Sequence, residues 1–147
     1  MLVCLDCWEV LESRVMNLGF LNQLLCPRKS CGGQHVVDLD ECLIPAIKEL
    51  NEKGYPTQNC CSGHFWDGSP GSIFPADTYI QFYDAVEAKD FPNLPDGFTL
   101  EKDRIQRSVT IRKGYKIPDA KERHIAILRS AIDLTVWAMN LPECSEE

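Results

Sequence analysis

The chain has 147 residues, a formal net charge of −7, 44% hydrophobic and 25% charged residues. That length suits one main domain with a small appendage, and the composition excludes a disordered chain. The acidic balance disfavours broad attraction to nucleic acid, whose phosphates need clustered Lys and Arg, and no stretch reaches the roughly 18 to 20 apolar residues that span a bilayer.

No basic region followed by an apolar run marks a secretion signal, so a cytoplasmic location and reduced thiols are the expectation for the eight cysteines. The first 33 residues hold two cysteine pairs, Cys4-Leu5-Asp6-Cys7 and Cys26-Pro27-Arg28-Lys29-Ser30-Cys31-Gly32-Gly33. Two pairs of thiolates held in tight turns converge on one tetrahedral ion, so Cys4, Cys7, Cys26 and Cys31 are the expected ligands of a structural Zn²⁺ in a zinc ribbon. A closed shell of four sulfurs leaves no open position for substrate, so this zinc stabilises rather than catalyses. Disulfide exchange by Cys4 and Cys7 is the weaker alternative, because such pairs sit at a helix start in a βαβ setting. The spacer between the pairs is apolar (Val10, Leu11, Val15, Leu18, Phe20, Leu21, Leu24, Leu25), which allows packing on the main domain or on a second copy.

The ribbon is expected over residues 1–37, and an α+β domain over 38–147. A short strand, Gln34 to Asp38, leads into a helix near Asp40, with Asp40 as its cap and Leu43, Ile47 and Leu50 on one face. Pro45 is tolerated only near a helix start, which can move the first regular turn beyond Asp40, and Gly54 ends the helix. Thr57 to Cys61 reads as a strand, followed by a loop through Ser62-Gly63-His64 and the Gly/Pro/Ser-rich stretch Asp67 to Pro75. Thr78 to Tyr83 alternates as a half-buried strand, and Phe91 to Gly97 is a connector.

Arg104 to Arg112 reads as the clearest strand, with Ile105, Val109 and Ile111 on the apolar face and Arg107 anomalously among them. The segment 101 to 116 carries about four net positive charges (Lys102, Arg104, Arg107, Arg112, Lys113 and Lys116 against Glu101 and Asp103), most simply a solvated strand face. A last helix from about Asp119 to Asn140 is expected to bury Ile125, Leu128, Ile132, Val136 and Met139, with Pro142 marking its stop. The fold class is therefore α+β: a small, mostly antiparallel sheet packed by two helices, with an N-terminal zinc ribbon.

The second concentration of chemistry is Asn59-Cys60-Cys61-Ser62-Gly63-His64-Phe65-Trp66-Asp67. Gly63 permits close approach of backbone to a ligand, exposed N–H groups of such a turn attract anions, and His64 titrates near neutral pH. Cys61, Ser62, Gly63 and His64, with Arg107, are the candidate binders of a small nucleotide-like or anionic ligand. Cys61 and His64 are also the candidate nucleophile and base. Equally, one of Cys60 and Cys61 points into the core and Ser62 serves only the turn. A second metal at Cys60, Cys61 and His64 needs a fourth ligand from His35 or Cys42. Cys42, His35, His124 and Cys144 are assigned no role of their own.

The string Asp40-Glu41, Ile44-Pro45, Ile47, Leu50-Asn51, Tyr55, Thr57 and then Cys61-Ser62-Gly63 resembles the wybutosine-synthesis methyltransferase family, in which a helix ending in Asn precedes a strand and a Ser-Ser-Cys-Ser-Gly-Arg turn. The likeness spans about 25 residues, and Tyr79 to Tyr83 extends it. It implies S-adenosylmethionine binding, an RNA substrate and a nucleoside-like ligand against Cys61, Ser62 and Gly63. The whole arrangement also resembles zinc-ribbon proteins of bacteria and their phages. A third class of function is an interaction module, with the ribbon spacer docking to a partner or forming a homo-oligomer through Leu18, Leu21 and Leu25.

Overall fold

In the computed structural model, residues 1–11, 17–18, 24–26, 28–33, 35–63, 77–84, 86–103, 105 and 107–144 are described. They form two compact units, Met1–Glu41 and Cys42–Glu147.

The first unit is built on a three-stranded antiparallel sheet in the order β2-β1-β5, from β1 (Leu2–Cys4), β2 (Val10–Leu11) and β5 (Val36–Asp38). Leu2 pairs with Leu11 on one side and with Asp38 on the other. A separate antiparallel pair, β3 (Asn17–Leu18) with β4 (Leu24–Leu25), lies within the spacer between the cysteine pairs. The spacer side chains Val15, Phe20 and Leu21 fall outside the described residues. Cys4, Leu11 and Cys26 are the buried centre of this unit, with Leu2, Cys7, Cys31 and Val36 packed on them. Among the described residues, Val3 and Leu39 of this unit are buried as well.

The second unit has an antiparallel four-stranded sheet in the order β6-β7-β9-β8, formed by β6 (Thr57–Cys61), β7 (Thr78–Phe82), β8 (Thr99–Lys102) and β9 (Val109–Lys113). Two helices complete it, α1 (Ile44–Glu52) and α2 (Ala120–Asn140). The expected α+β class is therefore observed, as are the strand at Thr57 to Cys61 and the connector after Phe91. Alternation puts Thr78, Ile80 and Phe82 of β7 and Val109 and Ile111 of β9 on one face, all buried. Phe91 joins this face to α2, its ring 4.6 Å from Phe82, 5.6 Å from Tyr55 and 5.5 Å from Trp137.

Pro45 does delay the first helix: a single 3₁₀ turn over Glu41–Leu43 precedes it, and the N-cap of α1 is Leu43, with no side-chain cap bond, rather than Asp40. Gly54 follows the helix at φ +85°, a conformation that favours glycine. Asp119 caps α2 as expected, accepting the Glu122 N–H at 2.8 Å.

Two expectations are overturned. Residues 104–112 are not one strand: β8 ends at Lys102, β9 begins at Val109, and the residues between close a hairpin. Asp103 accepts the Ile105 N–H at 2.8 Å and donates its own N–H to the Ser108 carbonyl at 2.9 Å. Arg107 takes φ +52°, and Ile105 is 94% exposed. The turn carries no Gly, Pro or Asn to announce it, so its alternation passes for that of a strand. Arg107 is consequently an exposed turn residue and not a charge on a core face.

The second correction concerns the face of α2. Ile127, Ala131, Leu134, Trp137 and Ala138 are buried, together with Arg123 and Ser130, whereas Ile125, Leu128, Ile132, Val136 and Met139 are all exposed. The helix has two apolar stripes, and close packing of α1 on α2 suits the one with small residues. Arg123 fits there because its guanidinium reaches the Ile117 carbonyl at 2.8 Å while its stem lies among apolar neighbours.

Candidate metal centre

Two turns carry the cysteines of the first unit. In the first, the Trp8 N–H closes on the Cys4 carbonyl at 2.7 Å and Trp8 adopts φ +59°, which brings the next N–H, that of Glu9, onto the Cys7 sulfur. In the second, the Cys31 and Gly32 N–H groups both point to the Arg28 carbonyl, at 2.9 and 3.2 Å. Arg28 donates its N–H to Cys26 Sγ, and Gly33 donates its N–H to Cys31 Sγ at 3.4 Å. An N–H two residues past the cysteine thus serves Cys7, Cys26 and Cys31 alike. Four residues intervene between Cys26 and Cys31 where two are commoner, yet the donor pattern is retained.

The four sulfurs all lie within 4.8 Å of one another, and among the described residues this is the one group of three or more potential ligands. Cys4 and Cys31 are 3.8 Å apart and Cys7 and Cys26 3.7 Å. A tetrahedron with metal–sulfur bonds of about 2.3 Å has edges of about 3.8 Å, whereas a disulfide requires about 2.05 Å. The thiols are free, and these two separations match those of ligands around an ion.

The donor set also fits a cation on electrostatic grounds. Burial pushes the Cys26 thiol up to about 12. Cys31 is raised as well: the Gly33 N–H favours its thiolate, but burial and the Cys7 and Cys4 sulfurs outweigh that bond. Cys7 is lowered, chiefly by the Glu9 N–H. Four thiolates this close repel one another unless a positive charge sits among them.

Asp6 stands beside the cluster. Its carboxylate accepts the His35 N–H at 3.3 Å and meets His35 Nδ1 at 2.9 Å, and that ring bond holds Asp6 below the usual carboxylate range. A Cβ on Gly33 would clash with Asp6 Oδ2, so the second glycine of the Gly32-Gly33 pair leaves room for this carboxylate.

The second concentration of chemistry is only partly described. Cys60 pairs with Ile80 and shares the buried face of the sheet, while Cys61 pairs with Tyr79 and shares the outer face. Gly63 has φ +85°, and its N–H approaches Cys61 Sγ at 3.4 Å. Ser62 is anchored through its backbone: Thr78 Oγ1 donates to the Ser62 carbonyl at 2.5 Å and accepts from the Tyr115 hydroxyl at 2.6 Å. Burial holds Tyr115 above its ordinary pKa, keeping it the donor that this chain requires. His64, Phe65, Trp66 and Asp67 lie outside the described residues.

Arg107 lies away from the described start of this loop, Cys61–Gly63. It precedes Val109, which pairs with Phe82, at the opposite end of β7 from Thr78, about 13 Å along the strand. Among the described residues, Arg112 is the arginine at the Thr78 end of the sheet, opposite Tyr79. It contacts Asp77 at 3.3 Å and Glu101 at 3.2 Å, and lies 5.0 Å over the Tyr79 ring. Lys113 lies over Phe98 and Tyr115 and donates to the Asp96 carbonyl. Arg112 and Lys113, two of the six basic residues of 101 to 116, are therefore engaged within the domain.

No described helix is long and apolar enough to cross a membrane. Comparison of the chain with protein-family models, with curated proteins and with solved structures finds no match, and the methyltransferase resemblance gains no support from them.

Proposed function

We propose that the chain is a zinc-binding protein whose metal is structural, held by Cys4, Cys7, Cys26 and Cys31. The convergence of the four sulfurs within 4.8 Å supports this reading, and an all-sulfur tetrahedral set suits Zn²⁺. The metal would tie the two cysteine turns of the first unit together and so add to its folding stability. Native mass spectrometry of the untreated protein is expected to give one zinc per chain. Replacing zinc by Co²⁺ should give the visible bands of a tetrahedral sulfur site. Cys26→Ala should abolish both, and Cys60→Ala should leave them unchanged. Full metal content in the Cys26 variant would sink the assignment.

A small nucleotide-like or anionic ligand at Cys61, Ser62, Gly63 and His64 is the second reading. It is favoured by the outer face of the sheet, where Tyr79, Gln81, Thr110, Lys102 and Arg112, with Ile105 and the carboxylates of Glu101 and Asp103, line a groove of about 680 Å³ and Cys61 stands opposite Tyr79. Calorimetric titration with inorganic phosphate, nucleoside phosphates and S-adenosylmethionine, each to about 1 mM, is expected to show saturable binding of at least one. His64→Ala should weaken that binding at least tenfold. Absence of binding across the panel removes both the pocket and the methyltransferase alternative.

A further inference from the structure

The outward stripe of α2 has an order that packing among the described residues does not explain. Ile125, Leu128, Ile132, Val136 and Met139 are 42%, 40%, 63%, 52% and 60% exposed, on a helix whose other apolar stripe already faces α1 and Phe91. At 100° per residue the five fall within a band about 80° wide. Scattered exposed apolar side chains are ordinary, but a continuous stripe along a 21-residue helix marks an interaction surface.

The spacing of the stripe is symmetric. Leu128 and Val136 lie four residues either side of Ile132, and Ile125 and Met139 lie seven either side. A second copy of the same helix laid antiparallel, with a two-fold axis at Ile132, sets Ile132 against itself, Leu128 against Val136 and Ile125 against Met139. This is the self-complementarity that an isologous interface requires. The charges follow the same symmetry. Arg129 and Asp133 both flank the stripe on one side, and a two-fold axis perpendicular to the helix returns that side to itself. Arg129 of each copy then stands about half a turn from Asp133 of the other. Neither residue enters an ion pair among the described residues. A parallel pairing would place Arg129 against the Leu128 and Thr135 side, with no carboxylate opposite.

We propose that two copies of the chain associate through α2, antiparallel about a two-fold axis at Ile132, with Arg129 and Asp133 pairing across it. The inference stands apart from the metal reading, since it rests on the second unit alone. It also differs from a homo-oligomer built on the ribbon spacer.

The test is sedimentation equilibrium on the full, metal-loaded chain from about 1 µM to 1 mM. A monomer–dimer equilibrium is expected. Ile132→Glu should weaken it at least about tenfold with circular dichroism and metal content unchanged. Asp133→Arg, a surface change that leaves the apolar stripe intact, should also weaken it, and Arg129→Asp with Asp133→Arg should restore it to within a few-fold. A mass of one chain over the whole range overturns the proposal, including the case where the stripe is nonetheless protected from exchange by another part of the chain. A dimer indifferent to Ile132→Glu and to Asp133→Arg overturns it as well. Failure of the double exchange to restore association overturns the antiparallel register.

Discussion

Asn51 shows how one side chain can close a helix-to-strand junction. Its amide donates to the Ile47 carbonyl at 2.8 Å and to Thr57 Oγ1 at 2.9 Å, and its oxygen accepts the Thr57 N–H at 3.2 Å. One residue in the last turn of α1 therefore fixes the start of β6, the strand that carries Cys60 and Cys61. Asn51→Ala is expected to lower unfolding free energy by about 1 to 3 kcal/mol in denaturant titrations, since it strands a backbone donor. A loss within experimental scatter would show that water replaces the amide. Such roles are only half legible in the sequence: Asn51 stood out at the helix end, but its partner six residues on depends on the turn at Gly54. The cysteines were more readable, because ligand spacing is a local property of two short turns. Arg107 was misread because its period-2 neighbours gave no sign of the bend that Asp103 stabilises.

Among the elements, the C-terminus of α2 depends on the turn that ends α1. Lys53 Nζ donates to the carbonyls of Ala138, Met139 and Leu141 at 3.0, 2.6 and 2.8 Å. These groups are left open where the helix stops, and the ammonium also suits the negative end of its dipole. Tyr55 Oη donates to the Pro142 carbonyl at 2.9 Å, and the Cys144 N–H to the Lys53 carbonyl at 2.8 Å. Lys53→Met keeps the length of the side chain and removes the donors. It is expected to cost about 1.5 to 3 kcal/mol and to raise amide exchange in the last turn of α2, leaving the turn capped by Asp119 unaffected. Equal exchange at both ends would argue that Lys53 acts on the whole domain instead. Proline and the 3.6-residue period placed both helices from sequence. They did not select the buried stripe of α2, where small Ala131 and Ala138 won over larger apolar residues because a neighbouring helix packs against that side.

For the whole molecule, the division into Met1–Glu41 and Cys42–Glu147 separates two kinds of stability. The second unit has a core of its own, from Leu43, Ile47 and Leu50 through Ile80, Phe82 and Ile111 to Leu134, each fully buried. Among the described residues, the buried cluster of the first is Cys4, Leu11 and Cys26, so two of its three members are candidate ligands. Chelation is therefore expected to collapse amide protection in β1, β2 and β5 while α1, α2 and the four-stranded sheet retain theirs. Loss of protection throughout would mean that the second unit depends on the metal as well, and no loss would mean that the sulfurs hold nothing needed for folding.

The sequence by itself determined the α+β class, the four-cysteine cluster, the strands at Thr57 and Thr78 and the two helices, because each follows from local spacing, periodicity or a cap. The tertiary structure alone decided that residues 104–112 turn rather than run straight, that Arg112 and not Arg107 stands at the loop end of the sheet, and which stripe of α2 is buried. Those outcomes depend on contacts between residues far apart in the chain, and a pattern of apolar side chains does not record which of two suitable faces another element will cover.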